Sequence, residues 1–145
     1  MRESIGSMWI LSLVLTFVLI FSAFLVLMIN YSNVFSFKNE VTSILEKYEG
    51  YTSKSRKIID NYLNTSGYKT KGDCPDGFYS ATSLDGDGSL NTTKDAYYCL
   101  YRDGSKYEII LFYKFNLPII GDLVNFTIKG ETNKIKFYNS VDYVY

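Results

Sequence analysis

Met8–Ile29 reads MWILSLVLTFVLIFSAFLVLMI and contains no charged residue. After Arg2 and Glu3, no Asp, Glu, Lys or Arg appears until Lys38. About 20 apolar residues at a rise of 1.5 Å each span the roughly 30 Å hydrocarbon core of a bilayer. Ser12, Thr16 and Ser22 interrupt the run. They cost little, because a helical hydroxyl bonds back to its own preceding turn. Trp9 and Tyr31 bracket it, where amphipathic rings favour the two interfaces. The stretch reads as a transmembrane helix. A cleaved secretory signal is the alternative, with an apolar core of about 7–15 residues, a positive leader and a small-x-small site. This run is longer, its leader sets Arg2 beside Glu3, and Asn30-Tyr31-Ser32 is a poor cleavage site.

The reading divides the chain into a cytoplasmic leader over 1–7, a transmembrane helix over 8–30 and an extracytoplasmic domain over 31–145. Orientation follows from the amino terminus and Arg2 in the leader, a small positive-inside signal, and from the cysteines. The lipid bilayer is therefore the first expected partner, and the cell membrane the expected location.

Composition narrows the chemistry. The 145 residues carry 15 basic and 15 acidic side chains, so no basic excess marks a nucleic-acid surface. There is no histidine, which removes Ser-His-Asp and Cys-His catalysis and imidazole-based zinc sites. Neither an enzymatic activity nor a cofactor is expected.

Beyond the bilayer, Val34, Phe37, Val41, Ile44, Leu45 and Tyr48 recur at steps of three and four, with Lys38, Glu40, Glu46, Lys47 and Glu49 on the other faces. That is the stripe of an amphipathic helix. Without Pro or Gly from Trp9 to Glu49, one helix of about 40 residues, on the order of 60 Å, is allowed. The stripe is expected to pack on the chain's own domain. A sharper expectation is that it also meets other helices in an assembly. Gly50 is the first stop signal, and a second helix is expected over 53–63.

Thr65 to Asp95 turns to Gly, Ser, Thr, Asp and Asn, a long loop. Cys74 and Cys99 flank it and read as a disulfide on the oxidising side; a redox pair would want CxxC spacing. Within the loop, residues 83–94 resemble a calcium loop, with Asp85, Asp87 and Ser89 as candidate ligands. Ser83 and Lys94 occupy the end positions where carboxylates belong, so a Gly/Asp turn is the leading reading and no metal is assigned.

Residues 96–102 and 106–116 read as strands joined at Asp103-Gly104. On the second strand, Tyr107, Ile109, Leu111, Tyr113 and Phe115 share one face. Ile110 and Phe112 share the other with Glu108, Lys114 and Asn116, and this second face is the one expected beneath the helix. A third strand alternates from Val124, and a parity change near Ile135 predicts a β-bulge at 130–133. The fold class is thus α+β: a transmembrane helix continuing into an amphipathic helix packed on a small antiparallel sheet of three to four strands.

This layout resembles the pilin and pseudopilin plan. The run 107–121, YEIILFYKFNLPIIG, followed by FTIKGET at 126–132, is similar to TadE-like minor pilins of tight-adherence (Flp-type) pili. The resemblance implies a structural or assembly subunit of a cell-surface pilus or secretion apparatus, with other pilin-like subunits as partners. It also implies a peptidase site, for which Gly6-Ser7 is the candidate, and a Glu at the fifth mature position, where this chain has Leu11. A minor subunit or permanent membrane component matches better than a major pilin. In a bundle, Gly6, Ser12, Ser22 and Ala23 would permit close approach. The other reading is a membrane-tethered module whose Tyr-rich sheet or Gly/Asp loop holds a ligand.

Overall fold

The computed structural model describes residues 2–84, 94–117, 121–137 and 143, with side chains outside 2–5, 115–117 and 121–125. The chain divides into two units, Met1–Asn33 and Val34–Tyr145. Its elements are α1 (Arg2–Lys47), α2 (Ser53–Thr65), β1 (Tyr79–Ala81), β2 (Tyr98–Asp103), β3 (Lys106–Leu117) and β4 (Gly121–Glu131). The strands form one antiparallel sheet in the order β1-β2-β3-β4. The α+β class holds, with one strand more than the three the sequence required at minimum.

α1 ends just before Gly50, the first glycine after Gly6. The Gly50 N–H reaches back to the Leu45 carbonyl at 2.8 Å, and Glu49 (φ 54°) and Gly50 (φ 128°) turn the chain out of the helix. This is a Schellman-like ending. Gly50 is also a close approach: a Cβ there would lie 2.7 Å from the Tyr143 ring. α2 starts at Ser53 under a reciprocal cap from Thr52. Thr52 Oγ1 accepts from the Ser55 N–H at 3.2 Å, while the Thr52 N–H donates to Ser55 Oγ at 2.8 Å. Ser55 Oγ also donates to the Gly50 carbonyl, fastening the corner.

The α1 stripe does bury against the sheet, but on the opposite face from the one expected. Val41, Ile44 and Leu45 pack with Tyr98, Leu100, Tyr107, Ile109 and Leu111, joined by Ile59 and Leu63 from α2. The second face, carrying Ile110 and Phe112, is covered by Cys74, Ala96, Cys99 and Phe78. The cystine segment therefore lies there, not the helix. It is tied down by paired main-chain bonds between Gly72 and Ala96, each 2.9 Å. At Gly72 a Cβ would fall 2.2 Å from the Phe112 ring, so this position needs glycine.

The bulge is also elsewhere. Residues 132–137 leave the ladder instead of continuing it past a bulge. Thr132 makes the exit: its N–H donates to the Tyr107 carbonyl at 2.9 Å, and its Oγ1 accepts from the Tyr107 N–H at 2.9 Å. The register shift lies between Phe115 and Asn116, which pair with Val124 and Asp122 and leave Leu123 as the extra residue. Gly104, with φ 56°, occupies the first of two loop positions between Asp103 and Lys106, the tight hairpin that Asp-Gly foretold.

Cys74 and Cys99 are disulfide-bonded across a separation of 25 residues. Replacing both by Ser is expected to lower unfolding free energy by about 3 kcal/mol, from the freed loop entropy. Urea unfolding of the oxidised protein and the double variant in detergent checks this; equal midpoints would refute it.

Candidate functional site

The first candidate surface belongs to the N-terminal unit. Residues from Met8 to Ile29 are exposed around the whole helix, and one helix of this chain is long and apolar enough to cross a membrane. None of its most apolar 18-residue window is buried. Its polar groups satisfy themselves. Thr16 Oγ1 donates to the Ser12 carbonyl, Ser22 Oγ to Val18, and Asn30 Nδ2 to Val26, at 2.8–2.9 Å. Such back-bonding hides hydroxyl and amide protons from hydrocarbon.

In the second unit, the stripe is enclosed by its own domain. Val34, Val41, Ile44 and Leu45 are buried; Phe37 and Tyr48 are half-buried and packed against the same cluster. Phe37 meets the rings of Tyr62 and Tyr68 edge-on. With Val41 and Leu45 at 0% exposure, these positions are spent inside the domain, and contacts to another subunit must come from other faces.

At the α1–α2 corner lies a buried polar chain that sequence reading missed. Tyr98 OH donates to Asp60 Oδ1 at 2.8 Å, which leaves its oxygen to accept from Tyr51 OH at 2.9 Å. Arg56 Nε stands 3.6 Å from Asp60 Oδ2. A buried carboxylate thus receives one cation and one phenol. Burial pushes Tyr98 and Tyr51 well above the ordinary tyrosine pKa. Repulsion adds to this, first from each other or Tyr79 and then from Asp60. Tyr51 and Tyr98 have 0% exposure, so no substrate reaches these hydroxyls; they join α2 to the sheet.

Tyr68 does similar work at the sheet margin. β2 begins opposite Leu111, so the next residue of β3, Phe112, has no β2 partner. The Tyr68 hydroxyl takes that place. It accepts from the Phe112 N–H at 2.8 Å and faces the Phe112 and Tyr97 carbonyls at 2.8 and 3.1 Å. Burial raises its pKa too. No local pattern flags a contact between residues 44 apart. The signal available was an isolated Tyr in a Gly/Lys-rich stretch.

The calcium-loop candidates Asp85, Asp87 and Ser89 lie outside the described residues. Among the described residues, no group of three or more His, Cys, Asp or Glu is placed to hold a metal. An open groove of about 400 Å³ is lined by Gly77, Tyr79, Leu100, Tyr101, Arg102, Gly104 and Tyr107. Arg102 stacks over the Phe137 ring at 3.7 Å, which holds its guanidinium in place.

Tyr68→Phe leaves a buried N–H and carbonyl without a partner and is expected to cost about 2 kcal/mol, read as a lower thermal or urea midpoint. A midpoint unchanged from the parent would show that water or another donor replaces the phenol.

The raised tyrosines also set an alkaline limit. The unfolded chain releases phenolic protons near the ordinary pKa of 10.0, while the folded chain keeps them. Above that pH the unfolded state binds fewer protons, so stability falls as pH rises, and below it this contribution is flat. Tyrosinate absorbance followed with circular dichroism should show these phenols ionising together with unfolding. Independent ionisation with native dichroism retained would contradict the geometry.

No protein-family model, curated protein or solved structure matches this chain.

Proposed function

We propose that this chain is a single-pass, membrane-anchored structural or assembly subunit of the TadE-like, pilin-like kind, without enzymatic activity. It would serve a bacterial surface pilus or related secretion apparatus. The observation that carries the reading is the division of labour along α1. Its first half is apolar and exposed on every side, and its last turns are buried against a small antiparallel sheet. A helix exposed in this way needs lipid or other helices as its surroundings. The N-terminus is then cytoplasmic and the sheet domain extracytoplasmic, the side on which a Cys74–Cys99 disulfide persists. Other pilin-like membrane subunits are the partners, and no nucleic acid is involved.

The second reading is a membrane-tethered binding module, favoured by the groove beside Tyr101 and Arg102. Against the wider form of that idea, Tyr79, Tyr98 and Tyr107 of the sheet, together with Tyr51 and Tyr68 outside it, belong to the buried core, and Tyr101 on β2 is exposed.

Cross-linking in native membranes separates the two. Single cysteines at Leu13 and Ile20, both exposed, are expected to link to other helical subunits. A cysteine at buried Val41 is expected not to link. Only monomer at Leu13 and Ile20 would defeat the assembly reading and leave the tethered module.

A further inference from the structure

α2 turns one polar edge toward the core. Arg56 and Asp60 lie one turn apart on it, and Asp60 is 2% exposed. Phenols from separate parts of the chain stand around them: Tyr51 just ahead of α2, Tyr79 on β1 and Tyr98 on β2. The ring centroids of Tyr51 and Tyr79 are 5.1 Å apart. Arg56 lies within electrostatic reach of Asp60 and of all these phenols. The helix, the short strand and its neighbour therefore bring polar groups to one buried place.

Part of their hydrogen-bonding capacity is used directly. Tyr98 donates to Asp60 Oδ1 and accepts from Tyr51. Arg56 Nε, however, stands 3.6 Å from Asp60 Oδ2, an ion pair too long for a hydrogen bond. Arg56 Nε, Arg56 Nη2 and the Tyr79 hydroxyl are shut off from solvent and make no well-formed hydrogen bond to protein. Tyr79 itself is only 7% exposed. Buried donors of this kind cost free energy unless something accepts from them.

The chemistry of the set selects what that something is. An anion drawn by Arg56 would meet the Asp60 carboxylate, and a cation drawn by Asp60 would meet the guanidinium. An apolar group would leave the N–H and O–H groups unserved. The requirement is a small neutral molecule that accepts from Arg56 and bonds the Tyr79 hydroxyl while donating to Asp60 Oδ2, and water has that capacity. We infer that Arg56, Asp60 and Tyr79 hold an ordered water that ties β1 to α2. β1 is three residues long with β2 as its ladder partner, and the water gives it a second point of attachment. Tyr79 also lines the open groove with Leu100 and Tyr107, so the site lies behind that ring. The water comes and goes as the ring moves, without the domain unfolding.

The test is a high-resolution crystal structure of the full-length, oxidised protein, grown once from chloride and once from bromide. The expected result is a density peak within about 3 Å of Arg56 Nε or Nη2, the Tyr79 hydroxyl and Asp60 Oδ2, with no anomalous signal in bromide. Arg56 closed directly on Asp60, with Tyr79 turned to a protein acceptor and no peak, would overturn the proposal. A bromide anomalous peak would also overturn it, since the site would then hold an anion. In solution, oxygen-17 relaxation dispersion of the same protein in micelles counts waters held for longer than nanoseconds. Arg56→Met combined with Asp60→Leu removes both charged partners, and the count should fall by about one water per molecule. An unchanged count in a folded double variant rejects the site. Should the double variant fail to fold, the parent crystals decide alone.

Discussion

The burial of Val41, Ile44 and Leu45 against Tyr98, Ile109 and Leu111 is the contact on which the second unit depends. The sheet has one long hairpin and two shorter strands, too little to bury an apolar face by itself. The final turns of α1 supply that missing layer, and α2 folds back at Gly50 to extend it with Ile59 and Leu63. Each such side chain contributes roughly 1.5–3 kcal/mol when removed from water, against a net stability of about 5–15 kcal/mol for a domain of this size. The helix end is thus part of the domain's core, and cutting the chain between them would remove a wall of it.

Tyrosine does in this protein what ordered polar residues do elsewhere. The chain has 14 tyrosines and no histidine. Several phenols reach through the core to main-chain, carboxylate or phenol partners: Tyr68 at Phe112, Tyr98 at Asp60, Tyr51 at Tyr98. Each ring fills volume while its hydroxyl satisfies a buried donor or acceptor, the two demands that an aliphatic core residue cannot meet together. The same arrangement accounts for the elevated tyrosine pKa values, since phenolate in such a site would lose hydration and face Asp60.

Legibility in the sequence followed the range of the interaction. The charge-free run at 8–29, the stop at Gly50, α2 and the Asp103-Gly104 hairpin are local, and they stand where spacing put them. β1 did not announce itself, because Tyr79-Ser80-Ala81 is three residues long with no alternation and sits in a Gly/Asp-rich stretch. The covered face was misassigned for a definable reason. β3 is apolar on both sides, with Ile109 and Leu111 against Ile110 and Phe112, and a period of two cannot say which side meets a helix and which a cystine segment. The parity change after Gly130 was real, yet it marked the ladder's end, where Thr132 substitutes for a strand residue. Tyr68 and Asp60 act over dozens of residues and leave no local trace.

The magnitude of the exposed helix decides the order of events in any assembly. About 18 large apolar side chains between Met8 and Ile29 stand open, which at 1.5–3 kcal/mol each amounts to a cost of roughly 25–55 kcal/mol in water. That exceeds the net stability of the folded unit, so a water-exposed form of this segment has no equilibrium population worth considering. A neighbouring helix covers only one side of a cylinder, and lipid covers all of it. For a chain anchored as proposed, insertion into a bilayer comes first, and helix–helix contact would then only trade lipid-facing surface for packed surface at a later step. In that trade burial in water gives no driving force, and close packing at small residues such as Ser12 and Ala23 decides whether helices associate.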